Sequence, residues 1–285
     1  MWATWEQAAV AAVVAGLVWV ALRGVRSRLA VYAAPFVAEF VLLCVLYGIW
    51  RLARELPLAT PGGAVSRAHH IASLEAWLHL PSELTLQRFV LRHDSLADAA
   101  TWYYAIVHVP ALIGFLVWLF VRHRDRYPPW RNALALLTLG CLIIRFVRVA
   151  PPRFLPDLGF VDLASRFGYS VYPGDVSEGV SDQFAAMPSI HVGWAAIVSF
   201  GIVAAGASRW RWLFLLHVVV TLLVVAATGD HWWLDGVVAL QLLAGALLLD
   251  TAVRGWLNSR QAETRRSRPD PGPDAQSGCQ HTVGQ

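Results

Sequence analysis

The chain has 285 residues, of which 57% are hydrophobic and only 15% charged, and its mean hydropathy is +0.50. That composition excludes an ordinary soluble domain and points to a membrane protein with several spans. The net charge of +4 rests on arginine alone, in short clusters between apolar runs, which read as topology signals rather than a nucleic-acid surface; no nucleic-acid partner is expected.

Met1 to Gln7 carries Glu6 and no basic residue, while Arg23, Arg26 and Arg28 follow the first apolar run. A cleavable signal peptide has the opposite charge order, so the first run is expected to be a retained helix. A helix needs roughly 20 apolar residues to cross a bilayer. On that measure the candidate spans are 7–23, 31–53, 98–121, 132–149, 190–207, 210–228 and 234–253. The fourth is short, and Arg145 and Arg148 interrupt its end.

Between the second and third spans lies the stretch 64–92, whose Ile71, Leu74 and Leu78 recur at helical spacing before Pro81 breaks the pattern. It predicts one or two amphipathic helices along the membrane interface. Residues 255–285, rich in Arg, Ser, Pro, Gly and Gln, predict a disordered cytoplasmic tail. Cys44 and Cys141 lie in apolar runs and Cys279 in the tail, which suggests no disulfide framework. The expected fold is all-α: a polytopic bundle of about seven transmembrane helices, with a six-helix core and an extra N-terminal span. Its expected parts are 1–29, an N-terminal helix with a basic cytoplasmic loop, then a membrane domain over 30–254 and the tail.

The loops "LRGVRSR", "VRHRDRYPPWR", "ASRWRW" and the tail start "RGWLNSRQAETRRSR" are basic and fall on alternate sides of successive spans. The positive-inside rule makes that face cytoplasmic, with the N-terminus out and the C-terminus in. Three polar stretches then share the outer face: "RFVRVAPPRFLP" (145–156), "MPSIHVGW" (187–194) and "TGDHWWLDG" (228–236). One hairpin of two spans separates His191 from His231, so each limb crosses roughly 27 Å and both histidines return to one surface.

The spans starting near Ser189 and Leu234 turn their N-termini outward, a setting that favours an anion. Arg153 adds a fork of donors suited to phosphate. Arg145, inside a span, calls for a partner or a wet cavity. Two histidines, a carboxylate and arginines suit phosphoryl transfer, in which one His attacks phosphorus and the other protonates the leaving oxygen. Asp235 follows His231 by four residues and can hold the imidazole tautomer if helix spans both.

Plainer roles stand beside these. Ser189 and Asp235 fit helix N-caps, and Trp232 and Trp233 fit interfacial anchors. His69, His70, His79 and His93 are scattered, and no metal is expected. Glu39 and His108, within spans, fit either function or a pairing between helices. Asp250, near the inner end of the last span, is expected to meet water or the basic tail.

"PSIH" followed by "HWWLD" resembles the paired signatures of the type 2 phosphatidic acid phosphatase superfamily. The likeness is greatest to its inositol phosphorylceramide synthase-like branch, inositolphosphotransferases with the pattern Pro-Ser-x-His and then His-x-x-x-Asp. "VAPPRFLP" and "QFAAMPSIHVGW" resemble actinobacterial members of that branch, and the resemblance covers roughly residues 30–254. It implies that His231 is a nucleophile forming a phosphohistidine, that Asp235 orients it, and that His191 is the general acid. Ser189 and Arg153 would bind phosphoryl oxygens.

The chain departs from the phosphatase pattern at Ile190, where phosphatases have Gly, and at Val225, where they have Arg. The Lys-x6-Arg-Pro motif is missing, since there is no Lys and Phe154 follows Arg153. The first two departures fit the synthase-like branch, and Arg145 or Arg148 is the candidate for the lost positive charge.

The resemblance thus implies a lipid phosphotransferase or phosphatase of the plasma membrane, acting without a cofactor at the extracytoplasmic face. Its substrate would be a phospholipid or lipid phosphate, and transfer of an inositol phosphate-like headgroup is the leading expectation. Hydrolysis to water is one alternative. Two others are a seven-span zinc hydrolase liganded by His191, His231 and Asp235, and a lipid-binding membrane protein without catalysis.

Overall fold

The computed structural model describes residues 3–55, 62–167 and 184–266. Among them the chain is a helical membrane bundle, its only β-type pairing a single bridge between Val149 and Ala185. Helix α1 (Trp5–Gly24) starts at a capping box, in which Thr4 accepts from the Gln7 amide and the Gln7 side chain accepts from Thr4 N–H. Helix α2 (Arg28–Glu55) folds back along it, and the pair approaches closely where Gly48 faces Ala8. Glu39 of α2 joins this hairpin to the rest of the bundle through Arg131, at 2.7 Å, so its role is a pairing between helices.

The stretch 64–92 forms two helices, α3 (Ala64–Trp77) and α4 (Glu83–Val90), separated at Pro81. Next come α5 (Asp94–Ile106) and α6 (His108–Arg122), bent by 47° from each other rather than one straight span over 98–121. Pro110 explains the bend, because it has no N–H to return to the Ile106 carbonyl. Helix α7 (Tyr127–Ile144) ends earlier than the expected 149. Arg145 is its C-cap and Arg148 lies beyond it, so neither is an arginine within the span.

Short 3-10 turns at Pro152–Phe154 and Pro156–Leu158 lead to the five-residue α8 (Leu163–Phe167). The central helix is α9 (Ile190–Ala205), which touches α6, α7, α10 (Leu215–Ala227) and α11 (Trp233–Arg266). Close packing there depends on Gly201, where a Cβ would lie 2.2 Å from the Phe115 ring.

Among the described residues four helical segments are long and apolar enough to cross a membrane: α1, α2, Arg209–Ala227 and Trp233–Gln261. The bent α5–α6 pair makes a fifth, and α9 is a shorter apolar helix. The polytopic α-helical architecture stands, with fewer full-length spans than the seven expected. Helix α11 also runs to Arg266, beyond the expected span of 234–253. Arg, Gln and Glu are good helix formers, and a nucleated helix extends through them at little cost. The remainder of the expected tail, 267–285, lies outside the described residues.

At one end of the bundle Asp250 accepts from Asn132 at 2.8 Å and pairs with Arg254 at 2.6 Å. The polar residues of the site gather at the other end, around the N-termini of α9 and α11.

Candidate active site

Three loops meet at that end, joined by main-chain hydrogen bonds. Val149 N–H donates to the Phe184 carbonyl at 2.9 Å, and Ala186 N–H donates to the Val149 carbonyl at 3.1 Å. Arg153 N–H donates to the Gly229 carbonyl at 2.9 Å, and Ser189 N–H to the Asp235 carbonyl at 3.1 Å. The loop after α7, the start of α9 and the α10–α11 turn are therefore one unit.

That turn begins as a Schellman motif. Gly229 has φ +74, its N–H donates to the Ala226 carbonyl, and Asp230 N–H donates to the Val225 carbonyl. A side chain at Gly229 would be strained, and its Cβ would come within 2.9 Å of Gln87 Nε2. Gln87, fully buried, in turn holds both the N–H and the carbonyl of Val161 at 2.9 Å.

His231 follows at once and is 6% exposed. Its Nδ1 lies 2.7 Å from the Ala186 carbonyl and 3.3 Å from Asp235 Oδ2. A carbonyl only accepts, so Nδ1 carries the proton and Nε2 bears the lone pair. Asp235, fully buried, also accepts from Trp232 N–H at 2.9 Å. It is thus both an orienter of the imidazole and a staple for the turn.

The His191 ring lies 5.8 Å, centroid to centroid, from that of His231. It is backed by Tyr104 at 4.4 Å and by His108 at 5.0 Å. His108 donates from Nδ1 to the Tyr104 carbonyl at 3.2 Å, which fixes its ring against His191. Farther into the bundle, Tyr103 bonds to His217 Nδ1 at 2.7 Å. The break between α5 and α6 thus places a cluster of polar rings behind His191.

Ser189 is the N-cap of α9, its hydroxyl oxygen accepting from Val192 N–H at 3.4 Å. Accepting leaves the hydroxyl proton to be donated elsewhere. Arg153 is 7% exposed, stacks over Phe154 and forms an ion pair with Asp230, a residue that sequence reasoning did not select. Arg145 reaches the Ala53 carbonyl of α2 at 3.4 Å. Arg148 is buried, and its carbonyl accepts from Arg67 Nε at 2.5 Å.

The N-terminus of α11 corrects one expectation. Its first N–H groups do not face an open anion site, because two carboxylates of the chain occupy them. Trp233 N–H donates to Glu83 Oε1 at 3.2 Å and Leu234 N–H to Glu75 Oε1 at 2.8 Å. Burial, then the neighbouring Glu83, push the Glu75 carboxyl up to about 9. Trp232 is likewise no interfacial anchor: it is 2% exposed, donates from Nε1 to the Ala150 carbonyl at 3.0 Å and packs on Phe160. Trp233 bonds from Nε1 to the Pro81 carbonyl at 2.6 Å, fastening the α3–α4 corner to the same turn.

His69 pairs with Asp157 at 3.2 Å. Among the described residues no group of three or more His, Cys, Asp or Glu is arranged to hold a metal ion.

No curated protein and no solved structure matches the chain. A family model described as the PAP2 superfamily does match, over residues 69–249, a range that contains most of α3, all of α4 to α10, both histidine motifs and the first half of α11. Members of this superfamily are typically phosphatases or phosphotransferases acting on phosphate esters. On that match this membrane protein belongs to the PAP2 superfamily.

Proposed function

We propose that the protein is a lipid phosphotransferase or lipid phosphate phosphatase working through a phosphohistidine on His231. The observation that carries this reading is the Ala186 carbonyl 2.7 Å from His231 Nδ1, which leaves Nε2 as the nucleophilic nitrogen. In the first half-reaction Nε2 attacks phosphorus and the P–O bond to the lipid alcohol breaks. Protonated His191 gives its proton to the departing oxygen. Asp235 offsets the positive charge that grows on the His231 ring. Arg153 and Ser189 bind phosphoryl oxygens, while the contact of Arg145 with α2 assigns it to support.

In the second half-reaction an alcohol or water attacks the phosphohistidine, and neutral His191 takes the incoming proton. His231 is released unchanged. An alcohol acceptor gives transfer and water gives hydrolysis. The "PSIH" and "HWWLD" signatures support transfer of an inositol phosphate-like headgroup to a lipid alcohol. The site is assigned to the extracytoplasmic face of the plasma membrane, with the N-terminus out and the C-terminus in. Support comes from the alternation of basic loops and from the Asp250–Arg254 pair, which lies midway along α11, away from the site.

The test is incubation of the purified protein with a panel of phospholipids and lipid phosphates, with and without alcohol acceptors. Mass spectrometry reads the products, and His231→Ala is the control. Products that form only with intact His231 are expected. Equal product formation by the variant would overturn the phosphohistidine.

A further inference from the structure

We propose that Glu75 and Glu83 act as a proton-sharing carboxyl pair that positions His231 by clamping the first turn of α11. This rests on the assignment of His231 as nucleophile, and it gives α3 and α4 a function in the same site.

Every backbone donor from His231 to Asp235 has a partner. His231 N–H donates to the Val225 carbonyl, Trp232 N–H to Asp235 Oδ2, and Asp235 N–H to the Trp232 carbonyl. The two remaining donors, on Trp233 and Leu234, go to Glu83 and Glu75. Without the two glutamates, the turn that aims His231 would have two unmet donors in a half-buried setting.

The pair is 4% and 5% exposed, so two full negative charges side by side would be costly. Glu75 Oε1 is used by Leu234, while Oε2 accepts no hydrogen bond. The donors that the two glutamates cap belong to consecutive residues, which brings the carboxyls side by side, where one shared proton relieves their repulsion. The groups that raise Glu75 are burial first, then Glu83 on α4 and Asp235 on α11. Of the helices that also pack on α4, α10 carries His217 and α5 carries the exposed Asp94 and Asp98.

The sign follows. The folded carboxyl keeps its proton up to about 9, against an ordinary value of 4.5, so the folded state holds the extra proton. Stability conferred by the clamp is whole below about 4.5, declines as the pH rises, and is lost through about 9. Above that Glu75 is negative, and the clamp opens.

The experiment compares kcat and KM across pH for the wild type, Glu75→Ala and Glu75→Gln, using the active lipid substrate. Gln reproduces the protonated acid, an acceptor plus a donor, and cannot ionise. Glu75→Ala is expected to lose at least tenfold in kcat with little change in KM, and Glu75→Gln to recover it. The alkaline decline near pH 9 should disappear in Glu75→Gln. Equal loss in both variants, or an unchanged alkaline limb in Glu75→Gln, overturns the proposal.

Infrared difference spectra at pH 7 give a second readout that needs no turnover. A protonated-carboxyl band present in the wild type and absent from Glu75→Gln is expected, and its absence from the wild type overturns the pair. A wild type inactive on every lipid but showing that band would count against the phosphotransfer reading and not against the shared proton.

Discussion

The Ala186 carbonyl lies nearer to His231 Nδ1, at 2.7 Å, than the Asp235 carboxylate does, at 3.3 Å. Two acceptors therefore share one ring proton, and the closer one is a main-chain atom that no side-chain substitution removes. Control of the tautomer belongs first to the backbone, and Asp235 adds charge.

Asp235→Asn consequently has a defined expected size. In a Ser-His-Asp triad the equivalent change costs about 10⁴-fold, because the imidazole adopts the wrong tautomer. Here Ala186 continues to hold Nδ1–H, so the expected loss in kcat is only about 10²-fold. Single-turnover measurements beside His231→Ala check this, and losses of equal size in the two variants would refute it.

Arg153→Lys tests the phosphate fork. Arg153 stacks over Phe154 and pairs with Asp230, and a lysine ammonium reproduces neither the planar fork nor the stack. A fall of roughly tenfold or more in kcat/KM, mostly through KM, is expected in steady-state kinetics in mixed micelles. Unchanged KM would remove Arg153 from phosphate binding.

Trp232→Phe separates a buried strut from a membrane anchor. The substitution keeps the ring packed on Phe160 but deletes the donor to the fully buried Ala150 carbonyl. The expected cost is about 1–3 kcal/mol, seen as a lower unfolding midpoint in detergent. An interfacial anchor would lose nothing once the bilayer is gone.

Gly229→Ala should destabilise through two mechanisms. A residue other than Gly at φ +74 costs about 1–3 kcal/mol, and the new Cβ collides with Gln87. Thermal unfolding of the variant, with Thr228→Ala as a comparison in the same turn, measures the difference. Because Asp230 and His231 follow directly, turnover should fall with stability.

Much of this site was legible because its chemistry is carried by rare side chains in an apolar chain. His191, His231, Asp235, Ser189 and Arg153 stand out as polar groups at the mouths of hydrophobic runs, and the count of spans brings them to one face. Ala186 left no such mark, since any residue offers the same carbonyl. Asp230 was overlooked although it adjoins His231. Glu75 did leave a signal: with Ile71, Leu74 and Leu78 it completes an i, i+3, i+4, i+7 face, so a carboxylate was written into an apolar stripe. The early end of α7 and the bend before α6 were hidden because hydropathy counts residues and does not register missing backbone donors. Pro110 was the local sign of the bend.

The bond from Ser189 N–H to the Asp235 carbonyl links the two signature segments without any side chain. Chemistry and frame are thus separable here. An imidazole can be deleted from either segment while the hinge between them persists, leaving a stalled enzyme with its substrate cradle intact. On the proposed mechanism such a variant is a trap, and a lipid retained through purification would identify the donor.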